Sequence, residues 1–211
     1  MKIQPRLIAM FGLLLAAYSA INFYIGWHAA EWLEAIGFKV RPAVFWIPFG
    51  FIAFGFILGR FPFPKGLRST GRLLKVVGSY YIFLMEAALI LFLIADAVRF
   101  VLWLAGAGTE GFVSYSGGLV FGSLALLLIA GSRNAWSPFV RSHELAIDKP
   151  ASGGRTHWTV AVASDLHLGN VVGRKHLRKL VELANEMKPD LVLLAGDVLD
   201  DSIDPFLRNR M

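Results

Sequence analysis

Long apolar runs separated by short polar segments make up most of the first 132 residues of the chain. A helix needs about 20 predominantly apolar residues to cross the hydrocarbon core of a bilayer. Four runs reach or approach that length, near residues 7–27, 43–59, 76–98 and 117–131. The pattern predicts a multi-span α-helical membrane bundle of about four helices over residues 1–132, with both ends of the bundle on the same side of the membrane.

The pattern changes after residue 132. Residues 133–157 combine polar residues with proline and glycine, which predicts a linker and a first hairpin with one strand near 141–148. Two short apolar segments, HWTVAVAS (157–164) and DLVLLAG (190–196), are typical of buried strands.

A helical pattern lies between these two segments. Apolar side chains recur there at helical spacing, at Leu177, Leu180, Val181 and Ala184. Strand, helix and strand in this order form a βαβ unit, whose crossover makes the strands parallel. We therefore predict the start of an α/β domain over residues 158–211.

Composition and charge support a membrane protein and suggest its orientation. Hydrophobic residues make up 56% of the chain, and its mean hydropathy is +0.58. Lys and Arg collect at the N-terminus, between the second and third runs and after the fourth run. Because cytoplasmic loops carry the excess of Lys and Arg, we expect the N-terminus and the C-terminal domain to be cytoplasmic, in the inner membrane of the cell.

The expected partners follow from the same features. Membrane lipids surround the spans, and the net charge of +6 arises from the loops rather than from a nucleic-acid-binding surface, so nucleic acid is not indicated. The chain has no cysteine, which excludes disulfides and thiolate metal ligands.

Small residues and one acid stand out within the spans. Gly55-x-x-x-Gly59 and Gly118-x-x-x-Gly122 have the spacing that lets helices approach closely, and we interpret both as packing motifs. Glu86 lies in the middle of the third run, where a carboxylate needs a partner or a polar cavity. A hydrogen bond to a neighbouring helix and a role with substrate or protons both remain open for it.

Candidate metal ligands follow both predicted strands of the C-terminal region. Asp165 and His167 come after the first strand, and Asp197 follows the second. Because parallel strands end at the same edge of a sheet, these three side chains can converge there. Carboxylate and imidazole groups together suit divalent ions such as Mn, Fe, Zn or Ni.

These segments also carry a family resemblance. SDLHLG (164–169) followed by LVLLAGDVLDD (191–201) resembles the first two motifs of the calcineurin-like metallophosphoesterases, Asp-x-His and Gly-Asp-x-x-Asp. The resemblance covers roughly residues 141–204 and does not reach the membrane half. It implies a β-sandwich flanked by helices, of which this chain holds the start, and a membrane-anchored enzyme that hydrolyses a phosphate ester or pyrophosphate.

The resemblance also implies roles for individual residues. Asp165 and His167 would bind the first of two divalent ions, Asp197 would bridge the two ions at the catalytic centre, and Asp200 would act close to them. Capping of the following turn by Asp200 is the open alternative. The implied substrate is a phosphate-containing small molecule or a lipid-linked phosphate.

The sequence departs from the family pattern after the second motif. The third motif, Gly-Asn-His followed by Asp or Glu, and the closing Gly-His-x-His are absent from the 211 residues, and none of the other histidines matches them: His28, His143, His157 and His176. We therefore expect an incomplete domain, the N-terminal part of a longer protein, without activity in this form. The alternative is a noncatalytic integral membrane protein (a sensor, transporter subunit or interaction module) with a relic phosphoesterase tail.

Overall fold

The computed structural model describes residues 4–148, 154, 156–169, 172–199 and 207. The chain divides into two units, Met1–Ala130 and Gly131–Met211, and each is treated below by itself.

Five helices build the first unit: α1 (Pro5–Ala35), α2 (Pro42–Ala53), α3 (Gly55–Leu58), α4 (Arg68–Leu104) and α5 (Phe112–Ala135). A 3-10 turn at Lys65–Leu67 precedes α4. Proline opens both α1 and α2, where its fixed φ suits a helix start and its missing N–H has no partner to lose. Three helices, α1, α4 and α5, are long and apolar enough to cross a membrane, so the chain is a membrane protein by length and composition.

The second apolar run is not the single continuous helix that the sequence predicts. Residues 43–59 do not form one helix, because α2 ends at Ala53 and the short α3 begins at Gly55. Phe54 between them has φ −94° and ψ 4°, away from helical values. At 1.5 Å per residue, α2 and α3 together would extend about 25 Å from Pro42 to Leu58. This length is less than the roughly 30 Å thickness of the hydrocarbon core of a bilayer.

Close backbone contacts hold α3 against α4. A Cβ added to Gly55 would lie 2.9 Å from the Leu74 carbonyl oxygen, and one added to Gly59 would lie 2.7 Å from the Gly71 carbonyl oxygen. The predicted packing role of Gly55-x-x-x-Gly59 is thus confirmed in the structure. The second motif differs, because nothing lies within 4 Å of a Cβ at Gly122, while Gly117 one turn earlier packs under the Trp32 ring.

A small apolar core joins α1, α4 and α5. Its buried members are Ile25, Ala88, Phe92, Val120 and Leu124. Hydrogen bonds link α1 and α5, since Trp32 donates its indole N–H to the Ser114 carbonyl at 3.2 Å and the Ser114 hydroxyl donates to the Ala35 carbonyl at 3.1 Å. Most large apolar side chains of these helices face outward, as expected for helices whose surroundings are lipid.

A polar network crosses the interior of the bundle at Asn22, which is 3% exposed. Its amide nitrogen donates to the Tyr18 carbonyl at 2.7 Å, and its amide oxygen accepts the Tyr81 hydroxyl at 2.5 Å. The Tyr18 hydroxyl in turn donates to the Ala53 carbonyl at 2.5 Å. Hydrogen bonds of this kind join α1, α2 and α4 where water is excluded.

Asn22→Leu is expected to destabilise the bundle by about 1–2 kcal/mol, because the Tyr81 hydroxyl loses its acceptor in a dry interior. The measurement is thermal unfolding of the purified chain in detergent. Combining Asn22→Leu with Tyr81→Phe should recover part of the loss, since both partners are then apolar. Ser19→Ala, which removes only an exposed hydrogen bond within α1, is the control and should be close to neutral. A double variant that loses stability additively would contradict the network.

The second unit contains β1 (Val160–Ala163), α6 (Arg174–Met187) and β2 (Leu191–Leu194). The strands pair in parallel with Val160 opposite Leu191 and Ala163 opposite Leu194, as the βαβ pattern predicts. Asp190 fixes the start of this register, because its carboxylate accepts the Thr159 N–H at 2.8 Å while its own N–H donates to the Thr159 carbonyl. The described sheet has two strands, and the β-sandwich implied by the family resemblance stays a prediction.

The segment before β1 lacks the strand predicted near 141–148. Among the described residues, 137–148 form neither helix nor strand, and the side chains of Leu145 and Ile147 are exposed. A strand needs a neighbour to satisfy its backbone groups, and no described strand pairs with this segment.

Candidate metal centre

The two loops that carry the candidate ligands leave the same edge of the sheet. After β1 the chain continues through Asp165 and His167, and after β2 it continues through Gly196 and Asp197. Backbone hydrogen bonds join the loops beyond the strands, from the Asp165 N–H to the Gly196 carbonyl at 3.3 Å and from the His167 N–H to the Asp197 carbonyl at 2.9 Å. The positions of the candidate ligands are therefore coupled by the backbone.

Leu168 anchors this pair of loops. It is 3% exposed, and its N–H donates to the Val198 carbonyl at 2.9 Å. It also forms parallel bridges with Val172 and Leu199. The buried Leu168 side chain thus holds the loop in place, while the side chain of the preceding residue, His167, stays exposed.

The candidate ligands share an unusual backbone conformation. Asp165, His167 and Asp197 have φ values of 54°, 42° and 47°, and Lys188, at the end of α6, is the other non-glycine residue with positive φ in the described part. The left-handed region costs most residues roughly 1–2 kcal/mol, although Asp, Asn and His tolerate it best. Strain of this kind concentrates at functional sites, which makes three adjacent strained residues a structural reason to place a site here.

The side chains of the three residues converge. One ligand atom from each of Asp165, His167 and Asp197 lies within 4.8 Å of the other two, the one such group of three in the described part of the chain. The His167 Nε2 is 4.0 Å from the Asp197 Oδ2, too far for a direct hydrogen bond. The side chain of His167 is 53% exposed and that of Asp197 is 70% exposed, so a ligand from solvent can reach both.

This donor set fits a divalent metal ion. Two carboxylates and one imidazole, with no thiolate, suit the borderline ions of the first transition row. Donor–metal bonds of about 2.0–2.2 Å place the ligands of one ion about 3–4 Å apart, whereas the three ligand atoms here lie within 4.8 Å of one another. Because the side chains are exposed, small rotations would adjust the remaining distance.

Other predicted residues are placed differently or lie outside the description. Asp200, predicted to act near the metals, lies outside the described residues, so its role stays a prediction. His176, which matches no motif of the family, is half-buried: its Nε2 donates to the Ala135 carbonyl at 2.7 Å, and its ring lies against Trp136 with centroids 4.3 Å apart. It therefore supports structure in its unit rather than the metal group.

Sequence reasoning missed a polar cluster within the membrane unit. The Asp96 side chain on α4 contacts α1: its carboxylate accepts the Tyr24 hydroxyl at 2.6 Å and lies 3.2 Å from the His28 Nε2. The His28 ring also stacks on Phe92, with centroids 4.7 Å apart. The available signal was Tyr24 and His28 four residues apart, and hence on one face of α1. Glu86, in contrast, is exposed on α4.

Two relatives share sequence with this chain. A protein of Caenorhabditis elegans named as a metallophosphoesterase is 38% identical over 69 residues, which are 33% of this chain and 14% of the relative. A protein of Danio rerio named "Transmembrane protein with metallophosphoesterase domain" is 36% identical over 81 residues, 37% of this chain and 18% of the relative. The chain resembles the metallophosphoesterases.

The resemblance covers only a small part of each relative. The matched segments span less than a fifth of the length of either metallophosphoesterase relative. No family model matches the chain, and no solved structure matches it. The relatives' names together with the three long apolar helices indicate a membrane protein with a metallophosphoesterase-like segment.

Proposed function

We propose that this chain is part of a membrane-anchored, metal-dependent phosphoesterase. The observation that carries the proposal is the convergence of ligand atoms from Asp165, His167 and Asp197 within 4.8 Å at the edge of a parallel sheet. The names of the two relatives supply the reaction class. The site faces the cytoplasm in this proposal, since Lys and Arg are concentrated in the loops assigned to that side. This orientation requires that α2 and α3 together make the fourth crossing beside the three long helices.

Each residue has a distinct task in the proposed site. Asp165 and His167 would hold one divalent ion, and Asp197 would be a ligand of that ion and of a second one. When bound, such ions polarise phosphoryl oxygens and lower the pKa of water enough to supply a nucleophile. The two carboxylates offset the positive charge of the ions, and the paired backbones of the two loops keep the ligands in register. Asp200 is proposed to act beside them.

The proposed substrate is a phosphate ester or pyrophosphate close to the membrane. The ligands are exposed, so a phosphate group can approach them directly. Attachment to a membrane bundle raises the encounter rate with lipid-linked phosphates, which favours them over freely diffusing ones. A soluble phosphate-containing molecule is the alternative within the same chemistry.

His167→Asn removes the imidazole while keeping a residue that tolerates the φ of 42° at this position. It is expected to weaken Mn²⁺ binding to the purified full chain by more than about tenfold, because changes to groups merely behind metal ligands already cost about 10- to 100-fold in affinity. Titration calorimetry of the chain in detergent measures this. His143→Asn, at an exposed position outside the ligand group, is the matched control and should bind Mn²⁺ like the parent chain.

Hydrolysis is tested on the same preparations. Release of 4-nitrophenol from its phosphate monoester and from its bis-ester should require Mn²⁺ and stop on addition of EDTA, and the ratio of the two rates reports monoester or diester preference. Because this chain is expected to be inactive by itself, the decisive assay uses a longer form that contains it. If that form binds Mn²⁺ through His167 and hydrolyses neither ester, the result supports a relic site on a noncatalytic membrane protein. Absence of any Mn²⁺ binding would reject the metal centre itself.

A further inference from the structure

A cavity of about 340 Å³ lies where α1 ends and α2 begins, within the membrane unit. This volume is at the lower end of the range of about 300–1,000 Å³ for small-molecule sites. Its wall combines aromatic rings, two carboxylates and one ammonium group: Trp27, Phe45, Trp46, Glu31, Glu34 and Lys39. Neither the proposed phosphoesterase function nor the relatives' names account for this combination.

The two carboxylates stand at an unfavourable end of their helix. Glu31 and Glu34 are three residues apart near the end of α1, so they share a face. The C-terminus of a helix carries partial negative charge, and α1 has no basic residue in its last turn to offset it. Within the part of the chain that the structure describes, no hydrogen bond or ion pair involves either side chain carboxylate. Their mutual repulsion makes the cavity a place where a cation is favoured.

The aromatic wall is fixed before any ligand arrives. The Trp46 ring packs directly on Gly26, where an added Cβ would lie 2.7 Å from it. The same ring stacks on Phe23 with centroids 5.4 Å apart, and Phe45 and Phe49 meet it edge to face at 5.3 and 5.8 Å. Ring faces attract organic cations, and the attraction is greatest where the rings need no rearrangement.

We propose that this cavity binds an alkylammonium group carried next to a phosphate, as in the headgroup of a zwitterionic phospholipid. The ammonium lies against the Trp46 and Trp27 rings beside Glu31 and Glu34, and Lys39 contacts the phosphate. Tryptophans of membrane proteins gather at the level of the lipid headgroups, so the membrane is the nearest source of such a group. A soluble phosphocholine-like molecule carries the same chemistry, and the experiment separates the two sources.

The binding test uses the purified full chain in a nonionic detergent and titration calorimetry with tetramethylammonium chloride and with phosphocholine. The double variant Glu31→Gln, Glu34→Gln should bind both probes at least about tenfold more weakly, a loss equivalent to about 1.4 kcal/mol. Lys39→Met should weaken phosphocholine alone. Glu110→Gln, an exposed carboxylate of the loop between α4 and α5 that does not line the cavity, is the matched control and should change neither affinity.

Native mass spectrometry determines whether the ligand is a membrane lipid or a soluble molecule. The chain is released for this purpose from bilayers of phosphatidylcholine and phosphatidylglycerol. Retention of phosphatidylcholine by the parent chain, and its loss in the double variant, identifies the lipid headgroup. Phosphocholine binding without lipid retention identifies the soluble source. The proposal is overturned if neither probe binds, or if Glu110→Gln weakens binding as much as the double variant does. Tetramethylammonium contains no phosphate, and both titrations are run in EDTA, which keeps metal ions away from the candidate metal centre. This outcome is therefore independent of the proposed phosphoesterase activity.

Discussion

Asp197→Asn is expected to lower metal-dependent phosphoesterase activity by at least about a hundredfold, since even groups that only support metal ligands contribute about 10- to 100-fold to activity. The amide has nearly the shape of the carboxylate but no charge, and its oxygen is a poor bridge between two cations. The measurement is the rate of Mn²⁺-dependent 4-nitrophenol release by the full chain or by a longer form that contains it.

The substitution is chosen so that folding is preserved. Asp197 has φ 47°, and asparagine tolerates this left-handed conformation about as well as aspartate does. Alanine at the same position would add backbone strain and confuse loss of the ligand with loss of structure. Asp165→Asn, at φ 54°, follows the same logic and should reduce both Mn²⁺ affinity and rate.

Glu182→Gln provides the matched control. It removes one carboxylate from an exposed position on α6, outside the ligand group, and should leave the rate unchanged. If Asp197→Asn retained the parent rate with Mn²⁺ present, Asp197 would not be at the catalytic centre and the proposed function would fail. If Glu182→Gln lowered the rate as much as Asp197→Asn, the cause would be the removal of a negative charge in general rather than the loss of a metal ligand.

The second large effect is expected in the membrane unit. Gly78→Ala should destabilise the bundle by roughly 1–3 kcal/mol, the usual cost of inserting atoms into a closely packed site. A Cβ at this position would overlap the backbone at Phe56, and it cannot be relieved by rotating a side chain because the obstacle is the main chain of α3. The helices α3 and α4 would have to move apart, which would also loosen the contacts of Gly55 and Gly59.

Gly122→Ala separates this packing effect from helix propensity. Alanine is about 1 kcal/mol more favourable than glycine within a helix, and nothing lies within 4 Å of a Cβ at Gly122. The control should therefore be neutral or stabilising in thermal unfolding in detergent, whereas Gly78→Ala unfolds at a lower temperature. Equal unfolding temperatures for the two variants would show that α3 does not pack on α4 as described.

The sequence by itself determined the features that follow from periodicity and local chemistry. Apolar length alone predicts the helices α1, α4 and α5, because crossing a bilayer requires nearly continuous apolar residues. The alternation of strand, helix and strand predicts the parallel pairing of β1 and β2, and the position of polar residues after each strand predicts that Asp165, His167 and Asp197 meet. These inferences use only short-range pattern and a topological rule.

The tertiary structure decided what depends on neighbours distant in the chain. The second apolar run divides at Phe54, and the divided segment packs on α4 through glycine backbones, which no local propensity reveals. Asp96 on α4 accepts the Tyr24 hydroxyl and lies beside His28, and both of these partners belong to α1, so the pattern along α4 does not reveal them. The left-handed backbone at Asp165, His167 and Asp197 likewise arises from hydrogen bonds between two loops about thirty residues apart. Periodicity indicates which face of an element is apolar. It does not indicate which element will cover that face, or which residues will be held in a strained backbone conformation, because both depend on contacts that form only when the chain folds.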